Sequence, residues 1–184
     1  MAPSDRLPLR DGRQVLLRLL GADDASRMAQ FFLHLGDASW LQRFHSPGRR
    51  LSVRDWAAIT AIEPRTREAI GALSVPDAAI VGVAQFVRDG HDATVAEVAV
   101  AVADAFQGSG LGTALLQRLA VRARAIGISR FRALIREPNR RVLTLGRRGG
   151  TRVRATYHYP GVIEAEIDLL PDARPAPAGA QEDT

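Results

Sequence analysis

Residues Glu97 to Thr113, EVAVAVADAFQGSGLGT, decide the fold. Val98, Val100 and Val102 alternate with smaller residues, the period of a β-strand. The alternation breaks at Ala103-Asp104-Ala105-Phe106 and runs into Gln107-Gly108-Ser109-Gly110-Leu111-Gly112. A helical period follows at once, with Leu111, Leu115, Leu119 and Ala123 along one face. Strand, glycine-rich turn and helix start together make an anion cradle. Glycine lets the backbone approach a ligand, and the free N–H groups of the first helical turn point at it with the helix dipole behind them. The expected ligand is phosphorylated.

Two familiar phosphate loops fit poorly. A P-loop places Lys and then a hydroxyl residue after its last glycine. Here Thr113 follows Gly112 directly and no Lys is available. A dinucleotide fingerprint needs G-x-G-x-x-G early in the chain, with an acid about 20 residues on. Gly108-x-Gly110 matches the first half and Glu137 could stand as the acid, but Thr113 occupies the third glycine's place.

The chain has 184 residues, enough for one domain with a full core. It contains no cysteine, so disulfides, thiolate metal sites and covalent cysteine catalysis are excluded. The N-terminus has no apolar signal region and no stretch approaches a membrane span, so a cytoplasmic location without membrane association is the expectation. All 25 basic residues are arginine, and the net charge is +5. That balance suits an anionic cofactor. The arginines are spread along the chain and aromatics are few, which argues against a base-stacking platform and so against nucleic acid as a partner.

Met1–Pro8 reads as a disordered lead-in and Pro171–Thr184 as a disordered Pro/Ala-rich tail, bracketing one domain over residues 9–170. Within it, Val15–Leu19 is a predicted strand and Asp23–Leu35 a helix that buries Met28, Phe31, Phe32 and Leu35. Ser52 caps a second helix to about Ala61. Strands follow near Glu68–Leu73, Ile80–Val87 and Thr94–Val102, with Asp89-Gly90 as a hairpin turn between the last two. Leu111–Ile126 is a helix stopped by Gly127. Arg130–Ile135 is a strand, Asn139–Arg148 a short helix, and Arg152–Tyr159 with Val162–Asp168 a final hairpin. The order gives a mixed α/β sheet flanked by helices.

Gln107-x-x-Gly110-x-Gly112 resembles the Q/R-x-x-G-x-G/A acyl-CoA pyrophosphate loop of the GNAT acetyltransferase superfamily. The similarity extends from about Leu9 to Leu170. Leu9-Arg10-Asp11-Gly12-Arg13, the helix from Asp23 and the Arg43-Phe44-His45-Ser46-Pro47 turn resemble the start of bacterial protein-lysine-acetylating GNAT domains. Glu137-Pro138-Asn139-Arg140-Arg141 is similar to the segment that opens the family's next helix. The resemblance implies a GNAT-type, mostly antiparallel sheet and an acetyl-CoA-dependent N-acyltransferase without a metal. The implied acceptor is a protein lysine. A small-molecule amine, or a low-activity acyl-CoA-binding regulatory domain, stands as the alternative, and the chain would be a monomer or homodimer.

The resemblance also implies roles for residues. Val100, Ala101 and Val102 would offer backbone groups to the pantetheine arm and acyl carbonyl, while Gln107, Gly108, Ser109, Gly110, Leu111, Gly112 and Thr113 would wrap the pyrophosphate. A bulge at Ala103–Ala105 would splay this strand from Arg130–Ile135 and open a slot. Asn139 would bond the pantetheine region, a role compatible with capping its helix. Glu97 is the implied general base, and strand alternation places it with Ala99 and Ala101 on the face opposite the valines. Many members carry a Tyr general acid seven residues after the Asn; that place is Gly146 here, so no such acid carries over. Tyr157 and His158 are weak substitutes. His45 borders the acceptor entrance by resemblance but suits a packing role. His34, His91 and His158 lack ligand spacing, so no metal site follows.

Overall fold

The computed structural model describes residues 5–46, 48, 51–136 and 153–169. Its strands are β1 (Asp5–Pro8), β2 (Gln14–Leu19), β3 (Arg67–Ser74), β4 (Ile80–Arg88), β5 (Val95–Val102), β6 (Arg130–Arg136), β7 (Val153–Tyr159) and β8 (Val162–Asp168). They form one sheet in the order β1-β2-β3-β4-β5-β6-β8-β7. Helices α1 (Ala25–Leu33), α2 (Asp37–Phe44), α3 (Val53–Thr60) and α4 (Leu111–Ala125) flank it. Every neighbouring pair is antiparallel except β5 with β6. A parallel pair needs a crossover, and α4 supplies it.

The sheet carries a core on each face because alternate strand residues point opposite ways. On one face Leu111, Leu115, Leu119 and Ala123 of α4 pack with Val15, Ile70, Phe86, Val98 and Phe131. On the other, Met28, Phe31 and Phe32 of α1 pack with Leu20, Ala69, Val83 and Ala101. Gly82 lets α4 lie close to the sheet. A Cβ there would stand 2.9 Å from Leu115 Cδ1 and 3.3 Å from Leu111 Cδ2. Glu68, 1% exposed, ties β3 to α4 through Arg122, whose Nε and Nη2 donate at 2.6 and 3.0 Å.

Several expectations need correction. Asp5–Pro8 is not a disordered lead-in but the edge strand, paired with β2 from Asp5↔Leu17 to Pro8↔Gln14. Leu7 packs on the α4-side core and buried Leu9 turns the chain, so the segment gains contacts that its Pro-rich composition concealed. Helix α2 was not expected; it follows Gly36 and buries Trp40. The β4–β5 connection is wider than an Asp89-Gly90 turn, with the Asp89 carboxylate accepting from the N–H groups of His91 and Asp92. The expected helix Asn139–Arg148, Gly146 within it, Arg152 and the tail from Pro171 lie outside the described residues. Among the described residues no helix is long and apolar enough to cross a membrane.

Candidate active site

The β5–β6 pairing lasts only from Val95↔Arg130 to Glu97↔Arg132. β6 stays on β8 as far as Arg136↔Val162, and β5 stays on β4 as far as Val102↔Gly82. The two strands therefore part after Glu97, before the Ala103–Ala105 segment where the sequence placed the cause. That segment instead turns through a short 3-10 stretch, Asp104–Phe106. Parting leaves the β6-facing backbone groups of residues 98–102 without a strand partner among the described residues. A cleft of about 570 Å³ fills the gap, with α2 laid along it.

One end of the cleft is the glycine loop. Gly108 and Gly110 have φ of 77° and 90°, the left-handed region that side chains adopt at a cost. The turn delivers Leu111, Gly112 and Thr113 to the first turn of α4, ahead of the bond from Ala114 N–H to Gly110 O at 3.2 Å. These leading N–H groups point out of the helix end, where an anion is favoured. The Leu111 side chain is fully buried in the core, so only its backbone serves the cradle. Ser109 is likewise turned inward, its hydroxyl donating to Phe106 O at 2.6 Å. A Cβ at Gly112 would meet Val102 Cγ2 at 3.6 Å, so the fold itself accepts alanine there.

The β1–β2 turn braces this loop from below. Arg10 N–H donates to Ser109 O at 3.1 Å. Arg13 donates to Ala105 O at 2.7 Å and lies 3.8 Å over the Phe106 ring. Arg10 Nε stands 3.4 Å from the Cβ position of Gly110, adding positive charge beside the helix start.

A polar hub joins the loop to α2. Gln107 Nε2 donates to Ser39 Oγ at 2.8 Å, Asp104 Oδ1 at 3.0 Å and, more weakly, Val102 O at 3.3 Å. Asp104 also accepts from Gly36 N–H at 2.9 Å and from the Ser39 hydroxyl, an acid at the N-terminus of α2 where the dipole favours it. The Gln107 amide donors are thus directed at protein groups. These bonds tie the end of β5 and the loop to α2.

The other end carries the charge. Glu97, Arg43 and His45 all line the cleft, and Glu97 is exposed to it. Burial pulls the Arg43 guanidinium down to about 10, with the Glu97 charge acting the other way. It still holds its proton at neutral pH. The guanidinium lies 4.9 Å from the Phe44 ring centre and 5.4 Å from that of Phe32. Burial, then the charges of Arg136 and Arg43, hold the His45 imidazole below its usual value, so it is neutral at pH 7. Its Nδ1 is buried without a hydrogen-bond partner among the described residues. Ser39 thus sits near Val102 while Arg43 and His45 sit toward Glu97, so α2 runs opposite to β5.

Of the residues singled out from sequence, Glu97, Val100, Ala101, Val102, Gln107 and Gly112 line this one cleft. Gly108, Ser109, Gly110, Leu111 and Thr113 build the turn at its end. Asn139 lies outside the described residues. Sequence reasoning missed Ser39, Arg43 and Asp104. The available signal was Gly36 followed by an acid at Asp37 and the Trp40–Phe44 spacing, which together mark a helix start. Among the described residues no cluster of His, Asp and Glu is arranged to hold a metal.

A split parallel pair ending at a glycine loop on a helix start defines an acyl-CoA-type transferase fold. A model of the acetyltransferase (GNAT) family matches residues 33–149, and the chain belongs to that family. The GNAT domain of PAT from S. lividans is 30% identical and superposes with a TM-score of 0.78 over 90% of this chain and 96% of that one. Acetyltransferase Pat of Mycolicibacterium smegmatis is 39% identical over 93 residues, which is 50% of this chain but 27% of that protein. The match therefore spans about a quarter of that curated relative's length. A protein of Salmonella typhimurium, solved with its cofactor acetyl-CoA, shares the fold at 20% identity and a TM-score of 0.66 over 89% of this chain and 98% of that one.

Proposed function

We propose that the chain moves an acetyl group from acetyl-CoA directly to an amine, a protein lysine, with Glu97 as general base. The observation that carries this reading is the cleft itself. It joins an anion-binding helix start, an unpaired strand edge and a carboxylate in one continuous slot.

The pyrophosphate would rest on the N–H groups from Gly108 to Thr113, with Arg10 beside them. The pantetheine arm would lie along residues 98–102, adding hydrogen bonds to β5 in the manner of a further strand. So placed, the arm would bring the thioester toward Glu97. A lysine amine at pH 7 sits about 3.4 units below its pKa of ~10.4, so freeing its nitrogen costs ~4.6 kcal/mol. Glu97 would take that proton, directly or through one water. A thiol pKa near ~8.5 makes CoA a tolerable leaving group without a dedicated acid. The lysine acceptor rests on the similarity of the N-terminal segment to protein-acetylating members and on the likeness to PAT.

Isothermal titration with acetyl-CoA, paired with thiol release on lysine peptides, tests the reading. Saturable binding and release are expected, with Glu97→Gln cutting turnover about tenfold or more while acetyl-CoA affinity stays within about twofold. Undiminished turnover in that variant removes Glu97 from the mechanism. Absent binding by the wild type removes the whole reading.

A further inference from the structure

The Glu97 end of the cleft is lined by one acid, Glu97, and one guanidinium, Arg43, which are not in ion-pair contact. Arg43 is a half-buried guanidinium lining the cavity, and no carboxylate lies within ion-pair distance of it among the described residues. Other half-buried arginines are held by protein oxygens: Arg122 by Glu68, Arg18 by Asp24, Arg132 by Glu164, and Arg88 by the carbonyls of Arg65, Ala93 and Ile126. The Glu97 charge acts on Arg43 only from beyond that distance, and a partly desolvated cation with no directly paired acid among the described residues gains by binding an anion. Arg43 is too far along the cleft to serve the pyrophosphate. Ser39, one helical turn earlier, already stands at the glycine-loop end through Gln107. His45 is neutral and the nearby Arg136 is cationic, so neither offers Arg43 a negative partner. Among the described residues Glu97 is the one acid lining the cleft.

A lone ammonium entering this end would meet Glu97 favourably and Arg43 unfavourably. An acceptor carrying a carboxylate close to its amine would satisfy both. We propose that Arg43 is the acceptor-side anion receptor, so that the cleft selects amines bearing a neighbouring carboxylate. The proposal rests on the acetyl-transfer reading of the same site. A guanidinium grips a carboxylate through two parallel N–H bonds, which fixes orientation as well as charge. Stacking on Phe32 and Phe44 restrains the guanidinium and lowers the ordering cost of that grip. The carboxylate could belong to an acidic side chain beside a target lysine or to a free amino acid.

Acceptors in acid and amide pairs separate these sources. One arm uses end-blocked lysine peptides with Glu or Gln beside the lysine; the other uses free amino acids and their carboxamides. In the wild type the acid form of at least one pair is expected to show kcat/KM about tenfold above its amide, mainly through KM. Arg43→Gln should bring that ratio to within about twofold, and Arg43→Lys should leave an intermediate ratio because an ammonium cannot make the forked contact. Preference in the peptide arm identifies a protein acceptor, and preference in the other a small molecule. Equal use of acid and amide in both arms, or a preference that survives Arg43→Gln, overturns the proposal. If Arg43→Gln does not fold, the wild-type ratio and Arg43→Lys still decide. Acetyl-CoA titration of the wild type keeps the two readings apart, since absent binding condemns acetyl transfer. Direct titration of the same acid and amide compounds then judges Arg43 on its own, with equal affinities overturning it.

Discussion

Gln107 Nε2 lies 2.8 Å from Ser39 Oγ, so the loop that follows β5 is fastened to helix α2 across the mouth of the cleft. Asp104 secures the same junction from beneath, accepting from Gly36, Ser39 and Gln107 at once. The glycine loop is therefore positioned by α2 as much as by the strand and helix it joins. Three polar side chains, Ser39, Asp104 and Gln107, make that junction.

Removing that hub should disturb donor binding before chemistry. Asp104→Ala removes the acceptor of the Gly36 N–H and the acid beside the α2 N-terminus, which costs about 1 kcal/mol. It also frees Gln107 from its carboxylate. Acetyl-CoA is expected to bind about tenfold more weakly, read by titration calorimetry. Unchanged affinity would detach the hub from the donor site. Gly36→Ala should act in the same direction, because its Cβ would overlap Asp104 Oδ2 and expel the carboxylate.

Gly110 tests the cradle geometry itself. Its φ of 90° and the Arg10 side chain 3.4 Å from the Cβ position make alanine a strained replacement. Gly110→Ala is expected to lower unfolding free energy by about 1–2 kcal/mol, measured in urea. Gly112→Ala, with only an ordinary contact to Val102, should be close to neutral in the same titration.

Glu68 and Arg122 give a stability prediction remote from the cleft. Burial acts to raise the Glu68 carboxyl, but Arg122, the Arg65 N–H and Arg88 outweigh it and hold the group below its ordinary value. Arg122→Leu strands that carboxylate and is expected to cost about 3 kcal/mol, whereas Arg122→Leu with Glu68→Leu should recover most of the loss. A carboxyl depressed by folding adds stability above its unfolded value of 4.5, and the gain is lost as pH falls through the folded value. Glu68→Gln should therefore show a shallower loss of stability than the wild type below about pH 4.5. Parallel acid limbs would show that Glu68 is not a source of the slope.

The strand, loop and helix from Val95 to Ala125 were legible because each step carries its own local signal: alternation, glycines, then a helical period. The alternation also set Glu97 and Ala101 on the face away from α4, as the two cores confirm for Ala101 and Val98. What stayed hidden was long-range. Asp5–Pro8 is short and polar, and only its pairing with β2 makes it a strand. Helix α2 mixes Trp40 and Phe44 with Ser39, Gln42 and Arg43, since one face packs inward and the other lines the cleft. The segment is amphipathic but short, Asp37–Phe44, and follows close behind the end of α1 at Leu33, which hides it as a separate helix. The parting of β5 from β6 after Glu97 has no sequence mark, because it depends on where β8 and β4 hold each strand. Arg43 and Asp104 gained meaning only once α2 lay along β5.

Hydrogen–deuterium exchange with and without acetyl-CoA tests the central claim most directly. The N–H groups of residues 98–102 that face the gap, and those of Gly108–Thr113 at the helix start, have no strand or helix acceptor among the described residues. Saturating acetyl-CoA is expected to slow exchange in these two segments and to leave the β7–β8 hairpin and α3 unchanged. Binding that protects other segments, or no protection at any concentration, would contradict the assignment of this cleft as the acetyl-CoA site.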